Sequence, residues 1–453
     1  MKLAFSLILV TQIFMVSCQD STTVVPDDQQ DATSKDSVNT NNGSQNPEIP
    51  DKWTDLSESE DYVARHECSF TQIGNRFILF GGREQARRLE LYNYQNDTWT
   101  TGAQAPKQFN HFQATAHQGI VWVIGAFKTN NFPVEEPEEN VWLYHQALDR
   151  WIKGPEIPEA RRRGGAGLAL YDNKFYVIGG NTRGHDGGYV AWFDEYDPYA
   201  NTWTMLSDAS EERDHFSAAV IGDKLYAAAG RKSGGPGGVF APLPAPVDVY
   251  DFITKSWSTL AEDLPTPRAA PGTAVLQDRL YLMGGEGTQP GPAFKILEIY
   301  DPMTDSWTEG ASMNHARHGT QAIVSGKGIF IAAGSPTRGG GRQHNMEVYG
   351  INEPEGTELI ASTITTMLEV SIPEGETKEI TISNEGGNTA SFIESVIIVG
   401  GGFDLLEDYN FSLINPESSK KLNIENNSEQ SGDSNLEITY NGGMVISVLL
   451  KDL

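Results

Sequence analysis

Six residue pairs stand at equivalent positions along the chain, and four of them carry imidazole, carboxylate or amide side chains. They are His66-Glu67, Asn110-His111, Gly164-Gly165, Asp214-His215, Ala269-Ala270 and His318-Gly319. An imidazole beside a carboxylate can transfer protons or hydrogen-bond a polar ligand near neutral pH. The candidate acid/base residues are therefore His66, Glu67, Asp214 and His215. The candidate ligand-binding residues are Asn110, His111 and His318, with a hydrated lining of no chemical role as the alternative.

The histidines of these pairs belong to different repeats of the chain. Their spacing in sequence therefore does not indicate that they converge on one metal ion. The sequence predicts neither a metal site nor a cofactor.

The six pairs are equivalent because they occupy the same position in a sequence unit that recurs six times between residues 51 and 352. Each unit has a glycine or alanine before a loop and a tyrosine after it, and five units have a tryptophan seven residues beyond the tyrosine. The glycine or alanine column is Gly81, Gly125, Gly179, Ala229, Gly284 and Ala333. The tyrosine column is Tyr92, Tyr144, Tyr196, Tyr250, Tyr300 and Tyr349. Both columns point to one structural unit repeated along the chain.

These columns resemble the kelch repeat. The resemblance implies an all-β fold with a six-bladed kelch-type β-propeller over residues 51–352. The sixth unit lacks its tryptophan, whereas Trp53 precedes the first unit without a tyrosine. We therefore expect an N-terminal strand at Trp53 to complete the last blade, which would remove two exposed sheet edges.

A second pair of columns predicts how each blade is held together. Five units carry an arginine sixteen residues before the glycine or alanine, namely Arg65, Arg163, Arg213, Arg268 and Arg317. The same five carry an acid two residues before the tyrosine, namely Glu90, Asp194, Asp248, Glu298 and Glu347. In the second unit Phe109 and Trp142 replace both. We predict five arginine–carboxylate pairs within blades and an aromatic pair in the second.

Function is expected on the face where the loops vary in length, because the repeats differ there. Arginines with interspersed aromatic residues suit carboxylates and sulfates through bidentate hydrogen bonds and ring stacking. The ligand-binding candidates in these loops are Arg83, Arg87, Arg183, Trp192, Arg231, Arg338 and Arg342. The acidic run Glu135, Glu136, Glu138 and Glu139 is predicted to be a solvated loop, with weak calcium binding as the alternative.

The N-terminus predicts export and anchoring. Residues 1–17 combine Lys2 with an apolar run too short to span a bilayer, which is typical of a signal peptide. Met15-Val16-Ser17-Cys18 resembles a bacterial lipobox, and the resemblance implies lipidation of Cys18. An ordinary signal peptide with an incidental cysteine is the alternative. Residues 18–50 contain no aromatic residue and predict a disordered tether, so we expect a lipid-anchored protein of the bacterial cell envelope, periplasmic or surface-exposed.

Residues 353–453 leave the repeat and alternate polar and apolar side chains between turn signals. Turns at Pro373-Glu374-Gly375-Glu376 and Asn384-Glu385-Gly386-Gly387 predict an antiparallel β-sandwich. Residues 372–384 with the turn at 416–418 resemble Ig-like modules of bacterial surface proteins. The resemblance implies a spacer or partner-docking role for an Ig-like domain.

The net charge of −28 argues against non-specific nucleic-acid binding. The predicted function is a monomeric, membrane-tethered binding module that uses one propeller face for an acidic glycan or protein partner. The alternative is a carbohydrate-active enzyme similar to sialic acid mutarotases, which would need an acid/base pair near a bound sugar acid. A copper enzyme similar to galactose oxidase fits poorly, because Cys68 is the one cysteine besides Cys18 and lies in a predicted inner strand.

Overall fold

The computed structural model of the protein describes residues 49–56, 59–83, 88–427 and 432–453. The predicted signal peptide, Cys18, nearly all of the predicted tether and Arg87 lie outside the described residues. The described part is almost entirely β-structure, as predicted, with three short 3₁₀ helices. These are η1 (Gln146–Leu148), η2 (Glu159–Arg161) and η3 (Gly184–Asp186). In this part of the chain, no helix has the length and apolar character needed to cross a bilayer.

Six four-stranded antiparallel sheets, here called blades 1 to 6, follow the sequence repeat. The chain starts with β1 (Trp53–Asp55). Blade 1 contains β2 (Cys68–Ile73), β3 (Arg76–Gly81), β4 (Leu89–Asn93) and β5 (Thr98–Gly102). Blade 2 contains β6 (Ala114–His117), β7 (Ile120–Val123), β8 (Asn140–His145) and β9 (Arg150–Glu156). Blade 3 contains β10 (Gly167–Tyr171), β11 (Lys174–Ile178), β12 (Phe193–Asp197) and β13 (Thr202–Met205).

The remaining three blades have the same strand order. Blade 4 contains β14 (Ala219–Ile221), β15 (Lys224–Ala227), β16 (Asp248–Asp251) and β17 (Ser256–Thr259). Blade 5 contains β18 (Gly272–Leu276), β19 (Arg279–Met283), β20 (Leu297–Asp301) and β21 (Ser306–Gly310). Blade 6 contains β22 (Ala322–Ser325), β23 (Gly328–Ala332), β24 (Met346–Gly350) and the N-terminal β1.

The blades close into a ring, because the first strand of each contacts the first strand of the next and β2 contacts β22. β1 pairs antiparallel with β24, from Trp53 opposite Tyr349 to Asp55 opposite Glu347. The ring centroids of Trp53 and Tyr349 are 5.5 Å apart, which repeats the tyrosine–tryptophan packing of the other blades. The predicted closure by an N-terminal strand is thus confirmed, and β1 covers the edge that β24 would otherwise expose.

The five predicted arginine–carboxylate pairs are all present and buried. They are Arg65–Glu90, Arg163–Asp194 at 2.8 Å, Arg213–Asp248 at 3.1 Å, Arg268–Glu298 and Arg317–Glu347 at 2.9 Å. Each guanidinium also donates to carbonyls at the end of the second strand, as Arg317 does to Ala333 O at 2.7 Å. In blade 2 the rings of Phe109 and Trp142 lie 6.3 Å apart instead. The arginine column is therefore part of the scaffold.

After blade 6 the chain forms two further sheets. The first contains β25 (Thr363–Thr365), β27 (Thr377–Glu385), β31 (Ser418–Asn426) and β29 (Phe403–Leu405). The second contains β26 (Glu369–Ile372), β33 (Met444–Asp452), β32 (Ser434–Tyr440), β28 (Ser391–Val399) and β30 (Ser412–Ile414). Residues from both sheets share one apolar core, as in a sandwich. The pairing is not wholly antiparallel as predicted, because β26 runs parallel to β33 and covers its edge.

This sandwich packs on the short-turn face of blades 2 and 3. Phe392 joins the apolar cluster of those blades, and its ring centroid lies 5.9 Å from that of Trp122. Ala390 N donates to Gln118 O at 2.8 Å, and the Tyr199 hydroxyl donates to Asn415 at 2.8 Å. The face that carries the long loops is on the opposite side of the propeller.

Candidate functional site

Six residues around the propeller axis, one from each blade, share a left-handed backbone. They are Glu67, His111, Gly165, His215, Ala270 and Gly319, with φ between 47° and 68°. The backbone N–H of each of the five members after Glu67 donates to the carbonyl oxygen of the member in the preceding blade. The N···O distances are 2.7 to 3.0 Å. Cys68 N donates to Gly319 O at 3.2 Å and completes the circle. We call these six residues the axial ring. Its hydrogen bonds offset the roughly 1–2 kcal/mol that each non-glycine residue loses in this backbone region.

The axial ring brings most of the predicted pairs together. Glu67, His111 and His215 are buried and line one cavity on the axis. The other three members of the axial ring, two glycines and an alanine, also line this cavity and have little or no side chain to fill it. His318 is buried beside them, and the His66 ring centroid lies 5.9 Å from that of His318. Residues from four blades, up to about 250 positions apart in sequence, thus form one polar centre.

Below the axial ring, two glutamine side chains bridge the inner strands. Gln113 Oε1 accepts from Leu168 N and Ala218 N, both at 2.8 Å. Gln321 makes the equivalent contacts with both backbone groups of Ala114, at 3.0 and 3.1 Å. These two amides therefore satisfy backbone groups of other blades inside the channel.

Neighbouring groups determine which nitrogen of His111 carries the proton. Asn110 Nδ2 donates to Thr129 O at 2.8 Å, which points the amide oxygen at His111 Nδ1, 2.5 Å away. His111 Nδ1 is therefore the donor, and a neutral ring has its lone pair on Nε2. Burial lowers the pKa of His111 well below its usual value, although Glu67 opposes this.

His215 is oriented in the same way by Asp214. The Asp214 carboxylate accepts from Ser233 N at 3.0 Å, from Ser233 Oγ at 2.6 Å and from His215 Nδ1. In the neutral form of His215 the lone pair is therefore also on Nε2. The ring centroids of His111 and His215 are 4.4 Å apart. Two imidazoles in defined tautomers thus lie side by side on the axis.

Glu67 lies between two histidines. Its Oε1 is 3.6 Å from Nε2 of His111 and 3.6 Å from Nε2 of His318. His318 Nε2 is also 3.4 Å from Glu286 Oε2. Burial raises the pKa of Glu67, but His111 and His318 outweigh it, and the pKa lies well below its usual value. Burial lowers the pKa of His318, yet Glu286 and Glu67 raise it overall.

A second layer of charged groups covers this centre on the long-loop side. Arg231 pairs with Glu286, and its Nη2 donates to His185 Nε2 at 2.8 Å. His185 Nδ1 faces Glu135 at 2.9 Å, and Glu135 accepts from Arg83 at 2.7 Å. Both arginines are therefore committed to buried or half-buried carboxylates.

Residues 153–334 match the family model of the KLHDC2/KLHL20/DRC7 Kelch-repeats domain. Kelch-like protein terF of Aspergillus terreus is 27% identical over 316 residues, which cover 64% of this chain and 66% of that protein. Kelch-like protein 25 of Xenopus tropicalis is 28% identical over 272 residues, 58% of this chain and 43% of that protein. This chain thus spans less than two thirds of these curated relatives. The predicted similarity to kelch-repeat proteins is confirmed.

The fold has a counterpart among solved structures. A chain titled "Structure of YjhT" superposes with a TM-score of 0.55 at 15% identity, over 65% of this chain and 99% of that one. At this identity the likeness concerns the fold alone.

The predicted loop residues that the structure describes fall into two groups. Arg231 and Arg83 belong to the charged layer, and Trp192 packs against Arg161, whose guanidinium lies 4.5 Å from its ring centroid. Arg183, Arg338 and Arg342 lie further out and are exposed or half-buried. Among the predicted loop residues that the structure describes, this outer group is the one accessible to a large ligand.

The acidic run in blade 2 differs from its prediction. Glu135 and Glu138 are 1% exposed, so the prediction of a solvated acidic loop is wrong for these two residues. Arg83 pairs with Glu135 and His185 hydrogen-bonds to it, which makes its burial possible.

Glu286 belongs to this centre but is not among the site residues predicted from the sequence. A signal for it exists, because it stands two positions after Gly284, as Arg83 and Arg231 stand two positions after Gly81 and Ala229. Residues at these positions form isolated antiparallel β-bridges with the first residue of the predicted pair in the same blade. Examples are Arg231 with Asp214 and Glu286 with Ala269.

Proposed function

We propose that this chain is a monomeric binding module that takes an acidic segment of a protein partner at the rim of its long-loop face. The observation that carries the proposal is the contrast between a mouth filled by paired buried groups and a rim of accessible arginine and aromatic side chains. The rim residues are Phe132, Arg183, Phe240, Arg338 and Arg342.

The rim offers contacts that suit a carboxylate-bearing ligand. Phe132 is 58% exposed and offers an apolar ring at the rim. The Arg338 guanidinium lies 4.2 Å from the Phe240 ring centroid, which orients it without neutralising its charge. Arg183 has Asp186 at 3.9 Å, too far for a strong ion pair. Guanidinium groups held by ring stacking recognise carboxylates bidentately.

Burial argues against the enzymatic alternative. A general acid or base must come within hydrogen-bonding reach of its substrate. The side chains of His111, Asp214 and His215 are 0% exposed and face protein groups. A sugar mutarotase using these residues would need the charged layer to move aside. A glycan ligand at the rim remains compatible with the same arginines.

The remaining parts of the proposal concern anchoring. We place the protein in the bacterial cell envelope, held by a lipid on Cys18, with the C-terminal sandwich as an Ig-like spacer. The contacts of the C-terminal sandwich with the short-turn face support this arrangement, because they leave the rim of the long-loop face uncovered. Changing Cys18 to Ser should release the protein from the membrane fraction; a variant that stays membrane-bound would contradict the anchor.

The ligand proposal is tested with the mature full chain by calorimetry against a glutamate-rich peptide, a neutral peptide of equal length and a sialylated oligosaccharide. We expect the acidic peptide to bind, with affinity falling as salt rises. Arg338→Ser with Arg342→Ser should weaken binding at least about tenfold. Arg279→Ser, an exposed arginine at a short turn of the opposite face, is the matched control.

Three outcomes would redirect this proposal. Binding only to the oligosaccharide would support the glycan ligand. Accelerated anomer exchange of a sugar acid, observed by NMR, would support the enzyme. Equal weakening by the rim variants and the control would contradict the placement of the ligand on the long-loop face.

A further inference from the structure

An apolar groove lies on the long-loop face between the long loops of blades 4 and 5. Leu243 comes from the loop of blade 4, Pro267 from the connection that enters blade 5, and residues 287–292 with Phe294 from the loop of blade 5. The groove has a volume of about 360 Å³, and ligand pockets usually have about 300–1,000 Å³. The residues that line it are all described, and they carry no ionisable side chain. The groove therefore suits an uncharged, apolar group.

The loop of blade 6 holds the blade 5 wall of this groove in place. Pro292 and Thr337 form an isolated antiparallel β-bridge. Arg338 N donates to Gly291 O at 3.0 Å. Pro290 and Pro292 also fix the backbone φ angle at two positions of the wall. Because the wall is already ordered, an incoming side chain loses little binding energy to ordering the loop.

Arg338 places a positive charge at the edge of this groove. Its Nη1 donates to the carbonyl of Thr288, which is one of the lining residues, at 2.5 Å. Its guanidinium lies 4.2 Å from the Phe240 ring centroid. Both contacts are with uncharged groups, so the charge stays available to a carboxylate of a ligand. An apolar groove beside an arginine is complementary to a ligand that carries an apolar side chain close to a carboxylate.

We propose that this groove binds a leucine-sized apolar side chain of the acidic partner segment, while a glutamate two positions away in that segment pairs with Arg338. The inference rests on the proposed function, because the same segment supplies both groups. Side chains two positions apart in an extended peptide point to the same side, so both contacts can form together. The partner is therefore recognised by a leucine at a fixed distance from a glutamate, and not by its negative charge alone.

The test compares two peptides of equal length and charge by calorimetry with the mature full chain. Both contain the same run of glutamates; one has a leucine two positions outside each end of the run, and the other has serine there. We expect the leucine peptide to bind about tenfold more tightly, and this ratio to persist at high salt because apolar burial is not screened. If the serine peptide binds and leucine adds nothing, the groove inference is wrong and the rim proposal stands. If neither peptide binds, the rim proposal fails and the groove inference fails with it.

Variants then locate the leucine. Leu243→Ser removes part of the groove wall and should bring the ratio of the two affinities close to one. Arg338→Ser should weaken the binding of both peptides, because both use its charge. Ile253→Ser, at an exposed apolar side chain in a short turn of blade 4 on the opposite face, is the control and should change neither affinity. If Leu243→Ser does not fold, Pro290→Ser, at an exposed lining residue, tests the groove in the same way. An unchanged ratio in a folded groove variant would place the leucine elsewhere and overturn the inference.

Discussion

In blade 2 the rings of Phe109 and Trp142 lie with their centroids 6.3 Å apart. They occupy the two positions that an arginine and a carboxylate occupy in each of the other five blades. Both solutions join the inner strand to the third strand across the end of the second. An aromatic pair achieves this by packing alone, whereas a buried ion pair must also offset the desolvation of two charges.

Replacing Arg268 by Met should destabilise the protein by about 3–5 kcal/mol, because Glu298 would stay buried without its partner. The measurement is the free energy of unfolding from urea titration. Arg279→Met is the control, since that exposed arginine pairs with Asp301 at the surface and should change stability by less than about 1 kcal/mol. Adding Glu298→Met to Arg268→Met should restore part of the loss. If the single and double variants are equally unstable, the buried charge is not the cause.

Gly319→Ala should destabilise the axial ring more than an alanine at an uncrowded left-handed position does. An added Cβ at Gly319 would lie 2.9 Å from Glu67 N, and φ is 68°. Gly222→Ala is the matched control, because it has φ of 55° but no atom within 4 Å of an added Cβ. We expect a cost of about 1–2 kcal/mol for the control and a clearly larger one for Gly319→Ala. Equal costs in thermal or urea unfolding would show that the ring is not tightly packed at this point.

Phe392→Ala should destabilise the contact between the sandwich and the propeller by about 3–5 kcal/mol. Phe392 is fully buried, and its neighbours include Trp122 and Ile120 of blade 2. Urea unfolding monitored by tryptophan fluorescence measures the loss. Val445→Ala, at a side chain that is 58% exposed, should have little effect. A separate early transition with an unchanged propeller midpoint would mean that the two parts unfold independently.

Stability should fall between pH 6.5 and pH 4 in a way that depends on His145. Burial lowers the pKa of this fully buried ring to about 4, whereas an unfolded histidine titrates near about 6.5. In that window the unfolded state binds more protons, so the free energy of unfolding decreases as pH falls, by up to about 3 kcal/mol for this group. His145→Gln should reduce the slope of the pH dependence measured by urea titration. An equal slope in the wild type and in His145→Gln would contradict the assignment.

The sequence by itself determined the scaffold. The tyrosine, tryptophan, arginine and acid columns describe contacts within single blades, such as Arg163 with Asp194. These partners lie about thirty residues apart and recur in five of the six repeats. Because both are replaced together in the second repeat, by Phe109 and Trp142, the sequence indicates that the two positions contact each other. Even the closure by Trp53 followed from the residue missing in the sixth repeat.

Only the tertiary structure decided what the departures from the repeat do. His111, His215, His318 and Glu67 come from four blades, and their meeting depends on the ring that the blades form and on the left-handed backbone of the axial ring. The sequence repeat does not predict which side chains meet across the axis, because the polar residues there differ from blade to blade. The burial of Glu135 likewise required Arg83 and His185 from other blades. The repeat therefore predicts the blades, and the ring they form brings the polar centre together.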